Sequence, residues 1–314
     1  MIDPFSPNLA LRNPHLQTLL SYVLKREAEP LSTTQLIPLP DGDCLALEIS
    51  TPKSWKLSDP TILMIPGTAG SHRSPYLVRL TNRLLEKNCR AIRLNFRGIG
   101  TGLGLAKKIS HGGASDELLH VIKELNENFP DSPLSLIGFS LGGNILLKLA
   151  GENELSQYLK KIIAVCPPLS LLDSSQRLTR LQNRIYQQSI VKAIIEIVES
   201  PKSQFSYKPK LPISNCKTLE EIDNLFTAPA SGFSSAKDYY EKCSSLQFIP
   251  NITSPCHILF AQDDPLIDCS KINEIRLPQN IDLVQTRYGG HMGFLKNSIK
   301  NPFWMDEQLL RWLS

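Results

Sequence analysis

Leu134-Ser135-Leu136-Ile137-Gly138-Phe139-Ser140-Leu141-Gly142-Gly143-Asn144-Ile145-Leu146-Leu147-Lys148-Leu149-Ala150 decides the fold of this chain. Its first six residues are mostly apolar and read as a strand. From Leu141 the spacing becomes helical, over 141–150. At the junction stands Gly138-Phe139-Ser140-Leu141-Gly142, a G-x-S-x-G in the strand-to-helix setting that exposes a serine hydroxyl above a sheet. Strand and helix backbones crowd at such a turn, so the positions two before and two after the serine call for glycine. Ser140 is therefore the candidate nucleophile.

The flanking chain repeats the same alternation in both directions. Upstream, Thr33–Pro38 and Cys44–Ser50 read as a hairpin about Asp41-Gly42-Asp43. Thr61–Ile65, 91–95 and 162–166 read as further strands, with helices capped by Ser74-Pro75 and spanning Ser115–Asn128. Downstream come strand Cys256–Ala261, a helix near 271–275, strand Ile281–Thr286 and a last helix capped by Asn301-Pro302. Such alternation specifies an α/β fold, a mainly parallel central sheet flanked by helices. Between about 167 and 245 it stops. Leu178, Leu181, Ile185, Val191, Ile194, Ile195 and Val198 fit one long helix there, followed by a Pro- and Ser-rich stretch. This segment reads as a helical cap inserted into a single domain of residues 1–314. At the other end, Asn13-Pro14 opens a helix whose Leu16, Leu19, Leu20, Val23 and Leu24 share one face. That stripe is expected to pack on its own domain, with a membrane surface as the alternative.

A serine hydroxyl needs an adjacent base. Of six histidines, His15, His120 and His257 fall inside predicted elements and read as packing or surface residues. His72 and His111 lie on loops after core strands and remain candidate substrate contacts. His291 stands in Gly289-Gly290-His291-Met292-Gly293, directly after the last predicted strand, where the chain order Ser…Asp…His requires the base. The orienting acid should follow the penultimate strand, where Phe260-Ala261-Gln262-Asp263-Asp264-Pro265 offers two carboxylates. Spacing favours Asp264, with Asp263 as the alternative. Two main-chain donors are expected to face a developing oxyanion: the N–H of Leu141 and that of Thr68, in Pro66-Gly67-Thr68-Ala69-Gly70.

Composition narrows the function classes. Hydrophobic residues make up 41% and charged residues 20%, and the net charge is +4. With no basic run interleaved by aromatics, nucleic acid is not an expected partner. The start, Met1-Ile2-Asp3-Pro4-Phe5-Ser6-Pro7, lacks the basic and apolar regions of a secretory signal, and no apolar run has spanning length. Seven scattered cysteines without C-x-x-C or Cys/His spacing read as reduced thiols of a cytoplasmic protein that uses no metal and no cofactor.

Taken together, the chain resembles the YheT-like family of α/β-hydrolases, which includes animal abhydrolase-domain esterases and lipases. The resemblance rests on Asn13-Pro14-His15-Leu16-Gln17-Thr18, Ser74-Pro75-Tyr76, Asn95-Phe96-Arg97-Gly98 and Gly138-Phe139-Ser140-Leu141-Gly142-Gly143-Asn144. It continues through Gly232-Phe233, Asp238-Tyr239-Tyr240, Asp263-Asp264-Pro265 and Gly290-His291-Met292-Gly293-Phe294. It implies an α/β-hydrolase fold and a serine hydrolase of carboxylic esters, with a small-molecule substrate of aliphatic or lipid-like character. Thioesters or amides handled by the same residues, or a non-catalytic binding protein on this fold, are the competing expectations. It also implies structural roles for Asn13, His15, Arg97 and Asp116. Two departures stand out: Pro66-Gly67 replaces the family's His-Gly at the oxyanion loop, and the N-terminal membrane anchor of the animal members is not expected for this chain.

Overall fold

Every residue of Thr61–Ile65 (β3), Arg90–Asn95 (β4) and Leu134–Phe139 (β5) is buried, because the sheet is covered on both faces. The computed structural model describes residues 5–24, 26–298 and 300–314, so Met1-Ile2-Asp3-Pro4 lies outside the described residues. With Thr33–Pro38 (β1), Cys44–Ser50 (β2), Lys161–Val165 (β6), Cys256–Ala261 (β7) and Ile281–Thr286 (β8), the described residues form an eight-stranded sheet in the order β1-β2-β4-β3-β5-β6-β7-β8. β2 pairs antiparallel with both β1 and β4, and every other neighbour is parallel.

Successive residues along the parallel strands enter two different cores, as the period of two dictates. Leu63, Ile92, Leu136, Ile162 and Ile258 face one, while Ile62, Met64, Ile137, Ile163 and Leu259 face the other. Helices Pro75–Glu86 (α2), Ser115–Asn128 (α3), Leu141–Glu152 (α4) and Trp304–Leu313 (α8) cover the faces. The first and last of these are bolted together inside the protein. Arg79 of α2 donates to Asp306 of α8 at 2.5 and 3.1 Å, Arg83 adds a bond at 3.1 Å, and the Arg79 guanidinium lies 3.6 Å from the Phe303 ring centroid. At the hairpin, Arg97 gathers Asp41, Asp43 and Glu117.

The segment between β6 and β7 departs from the predicted single helix. It breaks into Leu171–Leu178 (α5) and Arg184–Val198 (α6), because the fully buried Asn183 uses its side-chain amide on Arg177 O and Pro265 O, at 2.9 and 2.8 Å. Further on, the turn Leu219–Ile222 runs into a π-helix, Asp223–Thr227, and Ala236–Cys243 (α7) leads back to the core. Three smaller expectations also change. The segment near 271–275 is a 3-10 helix over Cys269–Glu274, Ser74 makes no side-chain cap, and the last helix starts at Trp304 rather than behind Asn301-Pro302.

The N-terminal helix Pro14–Val23 (α1) forms where predicted, capped by Asn13, whose carboxamide accepts from Leu16 N–H at 3.0 Å. Its orientation is the reverse of the packing expectation. The buried side chains are Gln17, Thr18 and Ser21, while Leu16, Leu19 and Val23 are exposed. The reason lies in what the polar face meets, described below.

Candidate active site

The parallel strands deliver their loops to one edge of the sheet, and three of these loops converge. Ser140 follows β5 at φ 48° and ψ −119°, a strained turn that lifts its side chain clear of both strand and helix. Glycine is required on each side. A Cβ on Gly138 would overlap the Gly142 backbone, and one on Gly142 would overlap the carbonyls of Pro66 and Ile65. Asp264 follows β7 and His291 follows β8.

The three side chains meet in the order expected from the sequence. His291 Nε2 lies 3.0 Å from Ser140 Oγ, and His291 Nδ1 lies 2.8 Å from Asp264 Oδ2. The Asp264 side chain is fully buried, and its Oδ1 accepts from the N–H groups of Leu266 and Ile267 at 2.8 and 3.1 Å. These bonds fix the carboxylate in place beside the imidazole. Asp263 points elsewhere: its Oδ1 accepts from Gly290 N–H at 2.9 Å, and burial raises its carboxyl above the usual range.

The loop after β3 approaches the serine closely, since a Cβ on Gly67 would sit 3.1 Å from Ser140 Cβ. The Gly67 N–H is taken by Tyr76 Oη at 3.0 Å. Among the described residues, the Thr68 and Leu141 N–H groups have no hydrogen-bond partner. Both residues line the cavity over Ser140, as does His111. A neutral imidazole beside such donors suits a polar contact. The Gly113 N–H donates to His111 Nδ1 at 3.1 Å, so Nε2 carries the hydrogen, and burial pulls this imidazole down to about 4. His72 is buried instead against Asn95, Nδ1 to Oδ1 at 2.8 Å. His15 stacks on Tyr186, His120 meets Pro38 O, and His257 stacks on Trp312.

Two residues of α1 belong to the site although sequence reasoning gave them no role. His291 N–H donates to Thr18 Oγ1 at 2.8 Å. The Gln17 carboxamide brackets Leu295 in the same loop, receiving its N–H at 2.6 Å and donating to its carbonyl at 3.0 Å. The polar face of α1 is thus consumed by backbone groups of the histidine loop that would otherwise be buried without partners. The signal available beforehand was the Asn13-to-Thr18 motif, whose polar members fall between the leucines.

The cavity, about 760 Å³, is walled mainly by apolar side chains. Core loops supply its floor and the segment between β6 and β7 supplies much of its wall, including Leu178, Ile190, Ile194 and Tyr240. One buried acid interrupts this wall. Burial raises Asp223 to about 6 while Tyr240 Oη donates to its Oδ2 at 2.7 Å. As for metals, the ligand atoms of Cys166, Asp264 and His291 lie within 4.8 Å of one another. The set does not suit an ion, because Asp264 and His291 already bind each other and burial drives the Cys166 thiol far upward, keeping it protonated.

Comparison with known proteins agrees with this architecture. Residues 60–298 match the family described as the alpha/beta hydrolase fold. YheT of Escherichia coli, provisionally named an esterase, is 27% identical over 99% of this chain and 93% of its own. The monoacylglycerol lipase ABHD2 of Danio rerio is 26% identical over 97% of this chain and 78% of its own. Among solved structures, esterase Pf2001 of Pyrococcus furiosus aligns with a TM-score of 0.61 at 16% identity, covering 100% of this chain and 97% of that one, a likeness of fold. Among the described residues no helix is long and apolar enough to cross a membrane.

Proposed function

Because the chain belongs to the α/β-hydrolase fold family, we propose that it is a serine hydrolase of carboxylic esters working through Ser140, His291 and Asp264. The observation that carries this reading is the unbroken chain of contacts from Ser140 Oγ to His291 Nε2 at 3.0 Å and from His291 Nδ1 to Asp264 at 2.8 Å. Ser140 attacks the acyl carbonyl while His291 takes its proton and Asp264 stabilises the imidazolium. The unpartnered N–H groups of Thr68 and Leu141 are the donors for the oxyanion. The alcohol leaves with the proton from His291, and water repeats the sequence on the acyl-enzyme. None of these steps calls for the side chain that Pro66 replaces, since both donors are main-chain groups.

An aliphatic acyl group is the substrate this reading favours, supported by the apolar cavity of about 760 Å³ and by the named lipase among the relatives. Residues of about 167–245 act as a cap over that cavity. The test is labelling by a fluorophosphonate probe, with Ser140→Ala as control, followed by turnover of p-nitrophenyl esters of graded chain length. Labelling that vanishes in the alanine variant supports the activated nucleophile. A folded wild-type protein that neither labels nor turns over any ester would defeat the proposal, and best turnover of the acetate would defeat the aliphatic pocket.

A further inference from the structure

We infer that the rim of the cavity, formed by the outward face of α1 and the start of α6, is a docking surface for an anionic lipid bilayer. The first observation is the inverted helix. The buried face of α1 is polar, and Leu16, Leu19, Tyr22 and Val23 are left between 38% and 58% exposed. Leu181, in the 3-10 turn just before α6, and Ile185, in the first turn of α6, are 86% and 62% exposed. Single exposed leucines need no explanation, but these belong to one rim, since His15 of α1 stacks on Tyr186 of α6 at 5.8 Å.

Next comes position. Leu19, Tyr22 and Val23 of α1 and Ser189 of α6 line the cavity and are exposed at the same time, so the cavity opens between these two helices. An apolar substrate drawn from a bilayer would enter there without crossing water. Charge complements this geometry. Residues 8–24 and 174–195 hold Arg12, Arg177, Arg180, Arg184 and Lys192 and contain no acidic residue. Arg12, Arg180 and Arg184 are exposed, and among the described residues none of the three has an acidic partner. An apolar face edged by arginines, without the length to span, is the pattern of a surface that lies on anionic headgroups.

Vesicle binding needs no turnover, so this inference and the ester-hydrolase reading fail separately. The experiment is flotation of the full chain with phosphatidylcholine vesicles and with the same vesicles containing phosphatidylglycerol. The variants are Leu16→Ser/Leu181→Ser/Ile185→Ser and Arg180→Glu/Arg184→Glu, all at exposed positions outside the cavity lining. Wild type should float with the anionic vesicles, and less so as salt screens the arginines. The serine variant should lose at least about tenfold in partitioning, and the glutamate variant should lose the preference for phosphatidylglycerol. Turnover of a water-soluble short ester should stay within about twofold in both variants, since every substitution lies outside the cavity. Wild type that stays behind with both vesicle types overturns the inference, as does a serine variant that floats like wild type. A wild-type dimer that the serine variant splits would assign the face to a second copy of the chain and overturn it equally.

Discussion

Replacing Asp264 by asparagine changes one atom of the site, and the surrounding donors dictate how the new side chain must sit. Asp264 Oδ1 accepts from two main-chain N–H groups, Leu266 at 2.8 Å and Ile267 at 3.1 Å. An asparagine must turn its only oxygen toward them, because its amide would otherwise oppose two fixed donors in a fully buried place. The NH2 then faces His291 Nδ1 at the 2.8 Å now held by a carboxylate oxygen. Nδ1 is forced to accept, the ring hydrogen moves to Nε2, and Nε2 points that hydrogen at Ser140 Oγ, 3.0 Å away. Such an imidazole cannot take the serine proton. The expected loss in kcat is about 10³- to 10⁴-fold, roughly 4–5.5 kcal/mol of transition-state stabilisation, with the fold intact. The assay is steady-state hydrolysis of p-nitrophenyl esters together with the rate of fluorophosphonate labelling. Asp263→Asn is the control. That residue touches the Gly290 N–H but not the imidazole, and among the described residues its buried Oδ2 has no partner, so activity should stay within about threefold. An Asp264→Asn protein that keeps more than about a tenth of wild-type kcat, or a large loss falling on Asp263→Asn instead, would refute the reasoning.

Two further predictions concern stability. Gln17→Leu strips partners from Leu295 N–H, Leu295 O and Leu11 O, and at about 1–3 kcal/mol for each group left unpaired, urea denaturation should show a loss of about 3–9 kcal/mol. A loss below about 1 kcal/mol would mean that α1 does not hold the histidine loop in this way. Asp223 and His111 should give opposite pH slopes in nearly the same window. Asp223, raised by burial to about 6, contributes stability that is full below the ordinary carboxyl range and lost as pH rises through about 6. His111, lowered by burial to about 4, contributes stability present above its ordinary range and lost as pH falls toward 4. Asp223→Asn should therefore exceed wild type at pH 7, by about 3 kcal/mol at most, with the gap closing by about pH 4. His111→Asn should flatten the acid limb. Thermal melts of both variants from pH 4 to 7 check this, and an Asp223→Asn protein no more stable than wild type at pH 7 contradicts it.

What could be read in advance is what a parallel sheet makes local. A strand ending in Phe139 must hand its next residue to the sheet's carboxyl edge, and the strands ending at Ala261 and Thr286 do the same for their loops. Ser140, Asp264 and His291 are 124 and 27 residues apart in sequence, yet each lies a few residues past a strand end. Their meeting follows from β-α alternation and strand register alone. The choice between Asp263 and Asp264 was harder, since both lie past the same strand; the structure separates them by the donors each one meets. The single helix expected across 178–198 failed for a related reason. Asn183 looks like an ordinary surface position in an apolar period, but its amide bridges Arg177 O and Pro265 O, and the second of these is 82 residues away.

The inversion of α1 is the most instructive departure. Apolar periodicity over Leu16, Leu19 and Val23 reports which residues share a face, and in most helices burial then selects that face. Here the competing demand comes from backbone. The loop that presents His291 includes Met292 and Phe294 at positive φ, conformations in which regular strand or helix bonding is interrupted. His291 N–H and the Leu295 peptide groups therefore need partners from outside the loop, and Gln17 and Thr18 satisfy them at 2.6–3.0 Å. Leaving three such groups unpaired costs about 3–9 kcal/mol, comparable with the roughly 1.5–3 kcal/mol for each leucine or valine left in water. The balance tips further when the outward leucines have somewhere to go. The same helix that fixes the histidine loop thus carries the apolar rim of the cavity, and a bilayer seated on that rim would recover the burial that the loop's hydrogen bonds forgo.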